Sequence, residues 1–186
     1  MDIAELKAEL ETLHSASFGW AVQCCRRDRT EAEEVLQTVY LKILEGKACF
    51  RGEASLKTWL FAVIRKTAVG EHRKNILRKL RWSDSSEATK TSAAPLEQPS
   101  EAFEKSETQA QFQNALKSLP RRQREALHLV FYQDLSLSEA AEVMGISIGS
   151  TRQHYDRGKK RLRESLGETE SAYGIDWRRK ENPGAV

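Results

Sequence analysis

Between Ser83 and Ser100 the chain is rich in Ser, Thr, Ala, Pro and Glu and has no apolar period of 3.6, whereas helical periodicity is strong on either side. Such a stretch reads as a linker, so the 186 residues divide between two small cores. Composition agrees: 39% hydrophobic and 31% charged is polar for one compact globule yet too apolar for a disordered chain. Charge divides as sharply. Residues 83–107 hold six acids (Asp84, Glu87, Glu97, Glu101, Glu104, Glu107) against Lys90 and Lys105, a balance of −4. Just before them, Arg65, Lys66, Arg73, Lys74, Arg78, Lys79 and Arg81 stand against Glu71 alone, a balance of +6. The formal net charge of +3 hides both blocks, so a nucleic-acid reading must rest on where the cations sit.

Upstream of the break, Thr30 and Glu33 have capping-box spacing and lead into Ala32, Val35, Leu36, Val39, Tyr40, Ile43 and Leu44 at helical intervals, with Gly46 as the expected stop. A second stripe, Leu56, Trp59, Leu60, Val63, Ile64 and Thr67, starts from Ser55 as N-cap and runs into the basic segment; Gly70 lowers helix propensity there without ending the helix. Leu6, Leu10, Leu13, Phe18, Trp20 and Val22 supply one or two earlier helices. By its place in the stripe, Trp59 reads as core rather than as a stacking platform, and Phe50 is undecided.

Downstream, Phe112, Ala115, Leu116 and Leu119 suggest one helix, and Pro120 opens another through Ala126, Leu127, Val130 and Phe131. Ser136 and Glu139 have capping-box spacing ahead of Ala140, Ala141, Val143 and Met144, and Gly145 follows. A last helix from Ser147 buries Thr151, Tyr155, Gly158, Leu162 and Leu166. This is a helix-turn-helix pattern: Ala141 lets the helices approach, Gly145 takes the left-handed turn, and Ile146 and Ile148 anchor the corner. From Gly145 to Leu166 six basic residues face two acids, and Arg152, Gln153, Asp156, Lys159 and Lys160 fall on outward positions. Arg and Gln early on such a helix reach base edges, and later cations suit phosphates. The plain alternative is a solvated helix in an all-α hairpin. His154, without a neighbouring acid or nucleophile in sequence, reads as a half-buried or surface histidine.

The longest apolar run, Trp59 to Ile64, is six residues and no basic leader precedes an apolar stretch, so no membrane span or secretory signal is expected. Cys24 and Cys25 are adjacent, about 3.8 Å apart at Cα, closer than disulfide geometry allows, and Cys49 is the odd third; a reduced cytoplasmic chain follows. No Cys/His set has metal-ligand spacing, no nucleophile-base pair or phosphate loop appears, and neither an enzyme nor a cofactor is expected.

A helix-turn-helix alone fits a repressor, an activator or an output domain equally well. The first half is more telling. Ala32-Glu33-Glu34-Val35-Leu36-Gln37-Thr38-Val39-Tyr40-Leu41 and Phe50-Arg51-Gly52-Glu53-Ala54-Ser55-Leu56-Lys57-Thr58-Trp59-Leu60 resemble the region-2 signatures of bacterial extracytoplasmic-function (group 4) sigma factors of the sigma-70 family. Leu116-Lys117-Ser118-Leu119-Pro120-Arg121-Arg122-Gln123-Arg124-Glu125 and the stretch Ser138 to Leu162 resemble their region 4, in the same order and with a linker between.

The resemblance implies an all-α, two-domain initiation subunit: residues 1–82 for core polymerase and the minus-10 element, linker 83–107, residues 108–167 for the minus-35 element, and tail 168–186. It implies binding to core RNA polymerase (β and β′ subunits), recognition of promoter DNA, help in opening the duplex, restraint by an anti-sigma factor, and a monomer when free. By motif position, Glu34, Gln37, Thr38 and Leu41 would contact polymerase, chiefly the β′ clamp helices. Thr38 stands where glutamate is common. Arg65, Lys66, Thr67, Gly70, Arg73 and Lys74 would meet the minus-10 element, with Lys66 standing where asparagine is frequent and Gly70 where a polar residue is. Ser150, Arg152, Gln153 and Asp156 would face minus-35 bases, and Arg157, Lys159 and Arg161 the phosphates. Thr151 occupies a usually aliphatic position and His154 one often basic, so the promoter sequence does not transfer from a relative. The linker's charge would suit channels shaped for nucleic acid. The rivals are a dimeric regulator on palindromic DNA and a regulatory adaptor that binds a partner without opening DNA.

Overall fold

The computed structural model describes residues 3–83 and 114–166, which form two compact units, one in each half of the chain. All regular structure among them is helical. The expected linker, apart from Ser83, and the expected tail lie outside the described residues.

The first unit holds α1 (Ile3–Thr12), α2 (His14–Cys24), α3 (Arg29–Leu44) and α4 (Leu56–Ser83). The uncertain early segment is therefore two helices, joined at Leu13 with little change of backbone conformation. Helix α3 begins earlier than the Thr30/Glu33 spacing indicates. Asp28 is its N-cap, in extended conformation, and its carboxylate accepts from the Glu31 N–H at 3.0 Å. A carboxylate satisfies an orphan donor and favours the positive helix end, which a box two residues later would leave unmet. Gly46, at φ 70°, follows the last turn as expected. Ser55 caps α4, its hydroxyl accepting from the Thr58 N–H at 3.1 Å, and the helix runs through Gly70 without a break.

The core of this unit is Trp20, Val35, Val39, Leu60, Phe61 and Ile64, all essentially inaccessible. Trp20 stacks on Phe61 with centroids 6.0 Å apart and donates its indole N–H to the Phe61 carbonyl at 3.0 Å. A buried indole needs such a partner, and here the bond locks α2 onto α4. Cys24 and Cys25 are buried at the end of α2. Trp59 is half-buried and pairs with Phe50, centroids 5.5 Å apart, at the start of α4.

The second unit holds α5 (114–118), α6 (Arg121–Leu127), α7 (Leu137–Met144) and α8 (Ile148–Leu166). Helix α6 widens into a π-helical turn, His128–Tyr132, which no local signal announced. The Ser136 capping box forms: its hydroxyl accepts from the Glu139 N–H at 3.2 Å, and the Glu139 carboxylate accepts from the Ser136 N–H at 2.9 Å. Gly145 ends α7 at φ 61°, ψ 42°, and the Ile146 N–H returns to the Ala141 carbonyl at 3.2 Å. This left-handed cap is where glycine's freedom is used. Every member of the α8 series, Thr151, Tyr155, Gly158, Leu162 and Leu166, is buried. At Gly158 a methyl would stand 3.0 Å from Leu127 Cδ1 and 3.3 Å from Gln123 Cβ, so the missing side chain is what lets α8 lie against α6.

Candidate nucleic-acid and partner surfaces

Three helix faces carry the expected residues. On α3 the core takes Ala32, Val35, Leu36, Val39 and Ile43, which turns Glu34, Gln37 and Leu41 outward and leaves Thr38 half-buried at the margin. Leu41 is 57% exposed, and Leu44, expected in the core stripe, is 55% exposed beside it. Leu44 lies three residues beyond Leu41 and seven beyond Gln37, on the face that contains both, so spacing against the exposed set rather than the apolar set finds it. Two bare leucines among polar residues give the helix an adhesive face rather than an ordinary solvated one.

On α4 the buried side chains are Thr58, Leu60, Phe61, Ile64, Thr67 and Ala68. Lys66, Gly70 and Arg73, at i, i+4 and i+7, therefore lie on the opposite, outward face, flanked by half-buried Arg65 on one side and exposed Lys74 on the other. Lys74 pairs with Glu71 at 2.8 Å, the one acid of the block. Thr67 departs from expectation. It is 5% exposed and its hydroxyl accepts from Lys42 Nζ at 3.2 Å, so it ties α3 to α4 and is not available to DNA. Its place as the last member of the apolar stripe was the better guide. Beyond the bundle, Ile76, Leu77 and Leu80 are exposed on the same helix.

On α8, Ser147 caps the helix, its hydroxyl accepting from the Ser150 N–H at 3.2 Å and donating to the Ser150 hydroxyl at 2.9 Å. Ser150, Arg152, Gln153, Asp156, Arg157 and Arg161 are exposed, and His154 is half-buried. Lys159, expected outward, is 7% exposed, with its ammonium 5.0 Å from the Tyr155 ring centre. It lies one residue past Gly158 on the flank that closes over Tyr155, and a cation over an aromatic face is favourable there. Ile148, expected to anchor the corner, is 48% exposed; the corner is held by half-buried Ile146 and the Gly145 cap instead. Arg122 Nη1 donates to the Met144 carbonyl at 3.2 Å, fixing α6 to the C-terminal end of α7. Buried Glu125 pairs with Arg121 at 2.8 Å and with Arg122 at 3.9 Å, which helps hold that arginine in place. A rigid α7–turn–α8 unit with a basic outer face can enter a major groove and contact both base edges and phosphates.

No helix among the described residues is long and apolar enough to cross a membrane. Comparison with known proteins gives a consistent picture. The model of sigma-70 region 2 matches residues 11–76, and that of sigma-70 region 4 matches residues 115–164. The chain is 29% identical to the ECF RNA polymerase sigma factor EcfG of Rhodopseudomonas palustris, over 70% of this chain and 68% of that one. It is 28% identical to the ECF RNA polymerase sigma factor SigX of Bacillus subtilis, over 75% and 73%. Among solved structures it is similar to the sigma factor RpoE of Bartonella quintana, determined in complex with the anti-sigma factor NepR. The TM-score is 0.65 at 27% identity, covering 88% of this chain and 98% of that one.

Proposed function

From the premise that this chain belongs to the extracytoplasmic-function group of the sigma-70 family, an alternative sigma factor that directs RNA polymerase to promoters, we propose a role for each exposed face. Helix α3 docks on core polymerase through Glu34, Gln37, Leu41 and Leu44, chiefly on the β′ clamp helices, with Thr38 at the edge. Burying a leucine that free protein leaves in water is worth about 1.5–3 kcal/mol, so Leu41 and Leu44 supply affinity and the polar pair supplies register. Helix α4 follows the minus-10 element with Lys66 and Arg73 on its outward face and Arg65 and Lys74 on its flanks. Release of counterions from the neutralised phosphates drives that contact. Helix α8 reads the minus-35 element with Ser150, Arg152, Gln153 and Asp156, while Arg157 and Arg161 take phosphates.

The observation that carries this reading is the sorting of side chains on α8. The five residues that sequence spacing assigns to the core are buried, and the base-side candidates stand exposed on a helix fixed at its start by Ser147. The protein acts as a binding and duplex-opening subunit and needs no catalytic group of its own. The Bartonella relative was solved with an anti-sigma factor, and we extend that class of partner to this chain.

Transcription in vitro with purified core RNA polymerase, this protein and a library of promoter DNA, read by sequencing transcript starts, tests the reading. Start sites that require the protein, sharing two sequence elements upstream, are the expected result. Failure to bind core enzyme, together with dimeric binding to palindromic DNA, would overturn it in favour of a conventional regulator.

A further inference from the structure

The turn between α2 and α3 is built from two successive arginines in the left-handed region, Arg26 at φ 55° and Arg27 at φ 71°. Glycine or asparagine takes such positions at lower cost, so an arginine there points to a use for its side chain. Backbone bonds close the turn, from the Arg27 N–H to the Val22 carbonyl at 2.8 Å and from the Asp28 N–H to the Cys25 carbonyl at 3.0 Å. Arg26 is exposed, and its Nη2 lies 3.1 Å from His72 Nε2 on α4. A guanidinium can only donate, so that imidazole nitrogen is the acceptor. Arg26 thus keeps its full charge and most of its donors, and no carboxylate among the described residues pairs with it. A surface hydrogen bond of this kind is worth no more than the strain of the turn, so it does not by itself account for the arginine.

His72 is seven residues from both Arg65 and Lys79, and residues two turns apart share a flank of α4 at about 10.5 Å spacing. Arg26 therefore joins a basic row on that flank from outside the helix. We propose that Arg26 binds a phosphodiester of the promoter strand lying along α4, with His72 as its positioning residue. This anchoring site on the α2–α3 turn extends the minus-10 contact surface beyond α4. It rests on the reading of α4 as the minus-10 helix.

The test measures holoenzyme binding to a fluorescent promoter fragment carrying the minus-10 sequence recovered from the library, as a function of KCl concentration, beside thermal melting of the free protein. Arg26→Gly removes the cation and relieves the turn. It should melt no lower than the wild type yet bind about fivefold more weakly, with the slope of log affinity on log salt smaller by about one. Arg26→Lys should keep most of the slope. His72→Gln, which retains an acceptor, should keep more of it than His72→Ala. Arg73→Ala is the control for the underlying reading. If it lowers the slope and Arg26→Gly does not, the Arg26 site is wrong and the minus-10 helix stands; if neither lowers the slope, both fall.

Discussion

At the level of single residues, the outward face of α4 contains a glycine where a side chain would be expected, and that glycine can be tested against two demands. A methyl at Gly70 would meet nothing within 4 Å, so the fold does not require its absence. Gly70→Ala should stabilise the protein by about 0.5–1 kcal/mol through helix propensity, a rise of a few degrees in melting temperature. Between Lys66 and Arg73, however, a bare backbone lets a nucleotide approach closely. We predict that G70A melts higher but initiates less transcription, read by thermal denaturation beside run-off yield. Equal or higher yield would show that the glycine serves no contact. Gly158 is the opposite case. There a Cβ is already at 3.0 Å from Leu127, itself buried, so Gly158→Val should cost about 2 kcal/mol by forcing α8 off α6, measurable as a lowered denaturation midpoint.

Among the elements, the π-helical turn buries a titratable ring, His128. Burial pushes His128 down to about 4, and the Gln133 amide, 3.3 Å from its Nε2, donates to a neutral ring. The unfolded chain takes up that proton near pH 6.5, whereas the folded chain resists until about pH 4. The stability this burial permits is therefore complete above pH 6.5 and is lost as pH falls from there towards 4, levelling off below. Between pH 7 and pH 5 the loss should be roughly 2 kcal/mol. His128→Phe keeps a ring against Tyr132, whose centroid lies 5.5 Å away, and removes the titration. Denaturant unfolding at pH 7 and pH 5 should show a smaller decline in H128F than in the wild type; an equal decline in both would show that His128 is not the source of the acid sensitivity.

For the molecule as a whole, what could be read in advance was what depends on neighbours in the chain. The Ser136 box and the Gly145 cap involve partners within a few residues, and the α8 series lies at the centre of a helical stripe rather than its margin; all formed as spacing indicated. Thr67, Lys159, Ile148 and Leu44 were misjudged because each lies at the margin of a helical stripe, where the neighbouring helix decides burial. The left-handed arginines and the π turn left no mark in periodicity at all. That the two proposed contact surfaces belong to separate cores has a consequence of its own. Residues with no shared partners contribute independently, so substitutions in α4 and α8 should multiply in rate rather than interact. If α4 meets phosphates as proposed, Arg73→Ala should lower transcription uniformly across minus-35 variants, because it removes one such contact. Gln153→Ala should instead relax base preference at one minus-35 position, costing about 1–3 kcal/mol on the preferred base. In the double variant the two losses should add as free energies within about 0.5 kcal/mol at every promoter of the library. Transcript counts for wild type, both single variants and the double variant give that coupling directly. A coupling well above this limit would mean that minus-10 and minus-35 binding are one cooperative event in the holoenzyme, with each element engaged only when the other is.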